Sequence, residues 1–275
     1  MFGQAYKKII LVLVLFNLSA CSVVGGLWYD RIDKFIANDF LEYANFSNAQ
    51  EDYIRKATSE FKYWNIQNEL PEYNKLLLQF RLLDSTTHVD DIDDIYQKVL
   101  VLGYRSRDFF VPYLGEFYKT ITNKQIEEIA IHFDRLMEER KLELNNQRNN
   151  FQAALEKDFV RYFRLVGVRL NNEQINTIRL LSSDLEDTRY QLINDQIKWN
   201  QQFITILTLR QKKNFEESLI NHINSLSSED PNMRTAINQI TAEIIASLDE
   251  KQRTRFQKKL GVFEASINKI IEQQN

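Results

Sequence analysis

The fold of this chain is decided by residues 170–207, which read LNNEQINTIRLLSSDLEDTRYQLINDQIKWNQQFITIL. Apolar side chains recur there mostly at intervals of three, four or seven residues, the spacing that places them on one face of an α-helix. The members of this stripe are Ile175, Ile178, Leu181, Leu185, Leu192, Trp199, Phe203 and Leu207. The pattern predicts a helix from about Asn171 to Leu209 whose apolar stripe faces a core rather than a ligand.

Residues that break helices are scarce in the rest of the chain. The sequence has seven glycines and three prolines, and no proline lies between Tyr113 and Asp230. A β-rich chain would need a turn about every 8–12 residues. A second apolar stripe follows Thr122 and consists of Ile126, Ile129, Phe133, Leu136 and Met137. We therefore expect an all-α fold, a single domain of long antiparallel helices that is bundle-like or elongated.

Four segments share one helix-start pattern: an apolar residue, then Ser, Thr, Asn or Asp, then two residues, then Gln. This is the pattern of a capping box, in which the first polar side chain bonds the N3 amide and the N3 side chain bonds the amide of the cap. The predicted pairs are Ser47 with Gln50, Thr122 with Gln125, Asn171 with Gln174, and Asp249 with Gln252. Their predicted role is structural, since loss of such a cap typically costs about 1 kcal/mol.

The spacing of the boxes suggests an internal duplication. The first and third boxes are separated by nearly the same number of residues as the second and fourth. This predicts two related halves with a boundary near Lys157 to Gly167. Within the first half, Pro71 lies far inside the helix that starts at Ser47, so it should kink or restart that helix.

The N-terminus has the features of a secretory signal. Lys7 and Lys8 precede an apolar run over residues 9–18, and small residues follow it before Cys21. The run is shorter than the roughly 20 residues that span a bilayer. We predict a signal peptide at 1–20 with cleavage between Ala20 and Cys21, a lipidated Cys21 with a short tether at 21–27, and a helical periplasmic domain at 28–275.

Leu18-Ser19-Ala20-Cys21 resembles the lipobox of bacterial lipoproteins, in which the cysteine thiol receives lipid. The resemblance implies several acyl chains such as palmitate, and two or more chains anchor a protein stably to a membrane. Ser22 rather than Asp follows the cysteine, which by resemblance to enterobacterial sorting favours the outer membrane over the inner membrane. Cys21 is the only cysteine, so the acylated chain would contain no disulfide.

Composition and spacing argue against several classes of function. The formal net charge is −3, and cleavage would remove Lys7 and Lys8 as well, whereas a nucleic-acid binder needs a basic surface. The three histidines, His88, His132 and His222, are far apart in sequence and lack metal-ligand spacing, which predicts solvated or capping roles. Catalytic motifs and phosphate-binding loops are not found. We expect no metal, no cofactor and no enzymatic activity.

Two further segments have simple structural interpretations. The acidic run from Asp90 to Asp94 lacks the spacing of a calcium-binding EF-hand loop and suits the first turn of a helix, where negative charge is favourable. Residues 105–112 mix arginines with aromatic residues. We expect this segment to be a connector, with an interfacial membrane contact as the alternative.

Most of the chain resembles an uncharacterised family of proteobacterial lipoproteins, classed as a domain of unknown function. The features that carry the resemblance are the lipobox, Trp28-Tyr29-Asp30, the first capping box, Trp64 and Glu69-Leu70-Pro71-Glu72-Tyr73. The capping boxes also resemble the Leu-Thr-x-x-Gln motif of small periplasmic chaperones and envelope-stress proteins, although none of the four is complete. The resemblance implies location and fold and supplies no catalytic residue.

Three non-catalytic functions are compatible with these features. The first is a membrane-anchored binding or scaffold protein with a periplasmic protein partner. The second is a chaperone-like or envelope-stress protein. The third is binding of lipid or another small hydrophobic molecule between helices, which requires an apolar cavity of about 300 Å³ or more.

Overall fold

The computed structural model describes residues 29–146, 151–225 and 230–273, and every regular element within them is an α-helix. The eleven helices of these ranges are α1 (Ile32–Leu41), α2 (Asn48–Asn68), α3 (Leu70–Leu82), α4 (Val89–Thr120), α5 (Asn123–Asn145), α6 (Phe151–Leu165), α7 (Asn172–Ser182), α8 (Arg189–Thr208), α9 (Phe215–Asn224), α10 (Pro231–Ala246) and α11 (Glu250–Glu272). The predicted all-α class is confirmed. Each helix of the described ranges is too short or too polar to span a bilayer. The predicted signal peptide, Ala20, Cys21, the tether and Trp28 lie outside the described residues.

The single helix predicted from Asn171 to Leu209 is wrong, because the chain forms α7 and α8 with a break between them. At the end of α7 the hydroxyl of Ser183 donates to the Leu180 carbonyl at 2.9 Å, and the hydroxyl of Ser182 donates to the Arg179 carbonyl at 3.4 Å. Such local bonds compete with the backbone bonds that would continue the helix. The stripe itself still faces inward, and Ile178, Trp199, Phe203 and Leu207 are buried.

The three prolines have different outcomes. Pro71 lies in the first turn of α3, directly after α2 ends, so the predicted restart is confirmed. Residues 105–112 do not form the predicted connector, because they lie inside the 32-residue helix α4, which contains Pro112. Tertiary packing explains this helix: the rings of Phe109 and Phe110 lie 5.4 and 4.7 Å from the ring of Phe61 on α2. Pro231 occupies the first turn of α10.

All four predicted capping boxes are formed, and their glutamines meet in two pairs. Gln125 Nε2 donates to Gln50 Oε1 at 2.8 Å, and Gln50 Nε2 donates back to Gln125 Oε1 at 3.3 Å. The second pair repeats this exchange at 2.9 Å from Gln252 to Gln174 and 3.1 Å in return. The four side chains are buried. Two helix starts are thus tied together in each half of the chain by the same arrangement.

The surroundings of the two pairs also correspond. Gln125 Nε2 donates to the carbonyl of Asn45 at 2.9 Å, and Gln252 Nε2 donates to the carbonyl of Arg169 at 2.7 Å. Each acceptor lies two residues before the cap of the partner box. Gln50 and Gln174 bond the residues two before the other caps, Thr120 and Ser247, at 3.3 Å. This correspondence supports the predicted duplication.

The helices pack into two lobes, each around its own apolar cluster. Lobe A is the apolar cluster formed by α1, α2, the C-terminal half of α4, α5, α8 and α9. Lobe B is the cluster formed by α6, α7, α10, α11, the N-terminal end of α4 and α3. Helices α3 and α8 are exchanged between the two lobes. Helix α3 belongs to the first half of the chain but packs on α11 of lobe B, and α8 belongs to the second half but packs on α5 of lobe A. Because α6 takes the place in lobe B that α1 has in lobe A, the repeat boundary lies before Phe151, earlier than predicted.

Candidate functional site

A cavity of about 570 Å³ lies at one side of lobe B, between α2, α3, α4, α6, α10 and α11. It extends from the lobe B cluster to two smaller apolar clusters, one around Ile66 and Leu70 and one around Leu76 and Leu102. The lining side chains are Asn65, Leu70, Tyr73, Leu76, Leu77, Phe80, Ile95, Val99, Leu155, Asp158, Phe159, Tyr162, Phe163, Val166, Ile237, Thr241, Leu260, Phe263 and Ile267. Its volume is within the range of about 300–1,000 Å³ that is typical of small-molecule sites.

The apolar faces of three helices form most of the wall. On α6, Phe159, Phe163 and their neighbours recur at three- and four-residue intervals, and on α11 Leu260 and Phe263 do the same. Helix α3 contributes the face that begins at Leu70, its first residue, with Pro71 in the same first turn. The wall is therefore made by amphipathic faces that each need an apolar neighbour.

A buried polar cluster lies behind the inner end of the cavity. Tyr29 Oη donates to Asn65 Oδ1 at 2.6 Å, and both side chains are almost fully buried. The Glu69 carboxylate is fully buried and lies 2.8 Å from the half-exposed guanidinium of Arg105. Burial raises the pKa of the Glu69 carboxyl, and the positive charge of Arg105 opposes that shift. The structure thus brings Tyr29 close to the segment that begins at Glu69.

The remaining polar lining lies where the cavity opens to solvent. Asp158 and Tyr162 on α6 and Thr241 on α10 are only partly buried, and Ile237 beside them is 37% exposed. Arg161 stands next to this rim, where it pairs with Asp158 at 3.0 Å and donates to Tyr162 Oη at 3.0 Å. We call these residues the rim of the cavity.

Lobe A packs a stack of aromatic rings at the corresponding place. Its helix α8, the counterpart of α3, carries Trp199 and Phe203 with ring centroids 5.2 Å apart. His222 stacks on Trp199 at 4.5 Å, and the two residues exchange hydrogen bonds of 3.0 Å between side chain and backbone. None of the residues that line the cavity belongs to the lobe A cluster. The cavity therefore lies outside the lobe A cluster.

The histidines do not form a reactive centre in the described residues. Only His88 has the expected helix-start position, where its backbone N–H donates to Asp91 at 2.8 Å. The expectation of solvated or capping roles is wrong for the other two, since His132 and His222 are buried. His132 packs against the ring of Tyr43 at 4.0 Å, and burial lowers the pKa of both buried histidines. Across the described ranges no group of three or more His, Cys, Asp or Glu side chains could hold a metal ion.

The predicted site residues lie apart from the cavity or outside the described residues. The eight capping residues are structural, and none of them lines the cavity. Cys21 and Ala20 lie outside the described ranges. Sequence reasoning missed the cavity walls, although the spacing of Phe159 and Phe163 on α6, continued by Val166 just after it, indicates an apolar face. That signal cannot distinguish a face that contacts a filled core from one that borders a space.

The described residues form an all-α protein of two related lobes, with an apolar cavity beside lobe B. The chain belongs to DUF6279, a family of unknown function, whose model matches residues 42–232. Comparison with curated proteins and with solved structures gave no match. The matched range contains α2 to α9, while α10 and α11, which form one side of the cavity, lie almost entirely beyond it.

Proposed function

We propose that this protein is a non-catalytic binding lipoprotein of the outer membrane that holds an apolar ligand in the cavity of lobe B and faces the periplasm. The observation that carries the proposal is the cavity of about 570 Å³ with walls of Leu, Ile, Val, Phe and Tyr side chains. A periplasmic protein partner, as expected from the sequence, would then deliver or receive the ligand.

Energetics favour an occupied cavity. Apolar voids created in protein cores cost about 24 cal/mol per Å³. For a space of about 570 Å³ this rate corresponds to roughly 14 kcal/mol, comparable to the total stability of many domains, about 5–15 kcal/mol. The opening at the rim reduces this cost because water can enter there. The apolar inner walls nevertheless gain from contact with an apolar ligand, since burial contributes about 25 cal/mol per Å².

Ligand binding is tested with an apolar fluorescent probe such as N-phenyl-1-naphthylamine. Both lobes are built from residues after the tether, so the chain from Ser22 onward can be used without lipid. We expect saturable binding of the probe, and we expect Val99→Trp, which places a large side chain in the cavity wall, to weaken it at least tenfold. The matched control is Val101→Trp on the same helix, because Val101 is 54% exposed and does not line the cavity. Absence of saturable binding, or equal effects of the two variants, would refute the proposal.

The anchor is tested separately in the full chain. Cys21→Ser should abolish metabolic labelling with palmitate and cause the uncleaved precursor to accumulate, because the thiol is the predicted site of acylation. Ser22→Ala, which keeps the thiol, should leave labelling and cleavage unchanged. Normal processing and labelling of Cys21→Ser would remove the lipoprotein part of the proposal and leave the cavity unaffected.

A further inference from the structure

We infer that the ligand is a single alkyl chain that enters the cavity tail first and leaves its polar head at the rim, so that chain length rather than head group sets the affinity. This inference rests on the proposed function and narrows the ligand to single-chain amphiphiles. It follows from where the polar atoms of the lining lie.

The inner part of the cavity offers no accessible polar atom for a head group. Asn65 and Tyr73 line this part, but Asn65 Nδ2 and Tyr73 Oη are both buried away from the cavity surface. Asn65 Oδ1 already accepts the hydrogen bond from Tyr29, and Arg105 is paired with Glu69. A ligand at this end would therefore contact carbon atoms only, and a buried head group would lose its hydrogen bonds to water without replacement.

The rim, by contrast, combines polar side chains with access to water. Asp158, Tyr162 and Thr241 lie there, and the charge of Asp158 is balanced by Arg161 at 3.0 Å. The Thr241 hydroxyl donates to the Ile237 carbonyl at 2.7 Å. These groups are satisfied within their own helices and do not form a ring of one charge. A head group at the rim would stay hydrated, and acidic, neutral and zwitterionic heads should be accepted to a similar extent.

The affinity should then depend on the length of the ligand's alkyl chain. Each buried methylene contributes a constant increment, which corresponds to about a fourfold gain in affinity. The gain should continue until the chain fills the space between the rim and the buried end near Leu70 and Tyr73. Longer chains would leave their extra methylenes in water, so the affinity should reach a plateau.

The experiment is displacement of the bound probe by three ligand series, fatty alcohols from octanol to hexadecanol, the matching fatty acids and the matching lysophosphatidylcholines, each below its micelle concentration. We expect about a fourfold gain per methylene up to one plateau length, with the three series within a few-fold of one another at equal length. Val99→Phe should move the plateau to shorter chains, while the exposed control Val101→Phe should leave it unchanged.

Two results would overturn the inference. One is an affinity that follows the head group, with one series bound at least tenfold more tightly than the others at equal length. The other is an affinity that does not rise with chain length although the probe itself binds. The second result would leave the proposed apolar site in place and reject only the tail-first alkyl ligand, so the failures of the two proposals are distinguishable.

Discussion

Replacing Gln125 by alanine tests whether the paired capping glutamines hold lobe A together. The Gln125 amide makes four contacts: it accepts the backbone N–H of Thr122 at 2.8 Å, donates to the Asn45 carbonyl at 2.9 Å, donates to Gln50 Oε1 at 2.8 Å and accepts from Gln50 Nε2 at 3.3 Å. Its side chain is only 6% exposed. Alanine therefore leaves the buried Gln50 amide without its partner and removes the bonds to Thr122 and Asn45.

The magnitude follows from these contacts. A typical hydrogen bond contributes about 1 kcal/mol, and a buried group that loses its partner costs about 1–3 kcal/mol. Thr122 and Asn45 lie closer to the surface than the glutamine pair, so we expect Gln125→Ala to lower the free energy of unfolding by about 3 kcal/mol. Gln252→Ala in lobe B, where the same contacts recur at 2.7 to 3.1 Å, should lose a similar amount.

Urea denaturation followed by far-UV circular dichroism measures both effects. Gln97→Ala, at an exposed position of α4, is the control and should change stability by less than about 0.5 kcal/mol. Gln50→Ala and Gln125→Ala should be non-additive by about 1–2 kcal/mol because they share two hydrogen bonds, whereas Gln125→Ala and Gln252→Ala, which share no partner, should add. A loss below about 1 kcal/mol for Gln125→Ala, or strict additivity of Gln50 with Gln125, would refute this account of the paired boxes.

Two other predictions concern buried histidines and glycines. Burial lowers the pKa of His132 and His222 in the folded state. Below about pH 6.5 the unfolded chain therefore binds protons that the folded chain does not. The free energy of unfolding should be constant above about pH 7 and should fall as the pH drops below about 6.5. His222→Gln, which keeps a donor for the Trp199 carbonyl, should reduce the slope of urea midpoint against pH, and an unchanged slope would contradict this assignment. Gly167 has φ of +86°, and an added Cβ would lie 3.0 Å from the Arg255 carbonyl oxygen; Gly167→Ala should therefore lower stability by about 1–2 kcal/mol or more. In Gly115→Ala the nearest atom to the new Cβ is 3.6 Å away, so the higher helix propensity of alanine should raise stability by up to about 1 kcal/mol. Thermal melts in which Gly167→Ala was more stable than Gly115→Ala would show the reasoning to be wrong.

Local features of the fold could be predicted from the sequence because they depend on neighbours in the chain. The capping boxes at Ser47, Thr122, Asn171 and Asp249 form as predicted, since a cap and its N3 residue satisfy each other within four residues. The restart at Pro71 is local in the same sense. That the glutamines of different boxes would bond each other depends on tertiary structure, and no local pattern contains it.

The two wrong predictions of helix boundaries also concern features that local patterns do not contain. Residues 105–112 look like a connector by composition, but packing of Phe109 and Phe110 on α2 keeps them helical around Pro112. The break after Ser182 interrupts a stripe whose apolar spacing continues across it. In both places the periodicity identifies the face that is buried, while contacts distant in sequence, or side-chain bonds to the backbone, decide where a helix begins and ends.

Comparison of the two lobes shows that helices at corresponding places present different side chains. In lobe A, α8 fills the core with the stacked rings of Trp199 and Phe203, and His222 completes the stack. In lobe B, the corresponding helix α3 presents Leu76 and Leu77 to an open space. The cost of an apolar space beside α3 is tolerable to a protein when an apolar ligand offsets it.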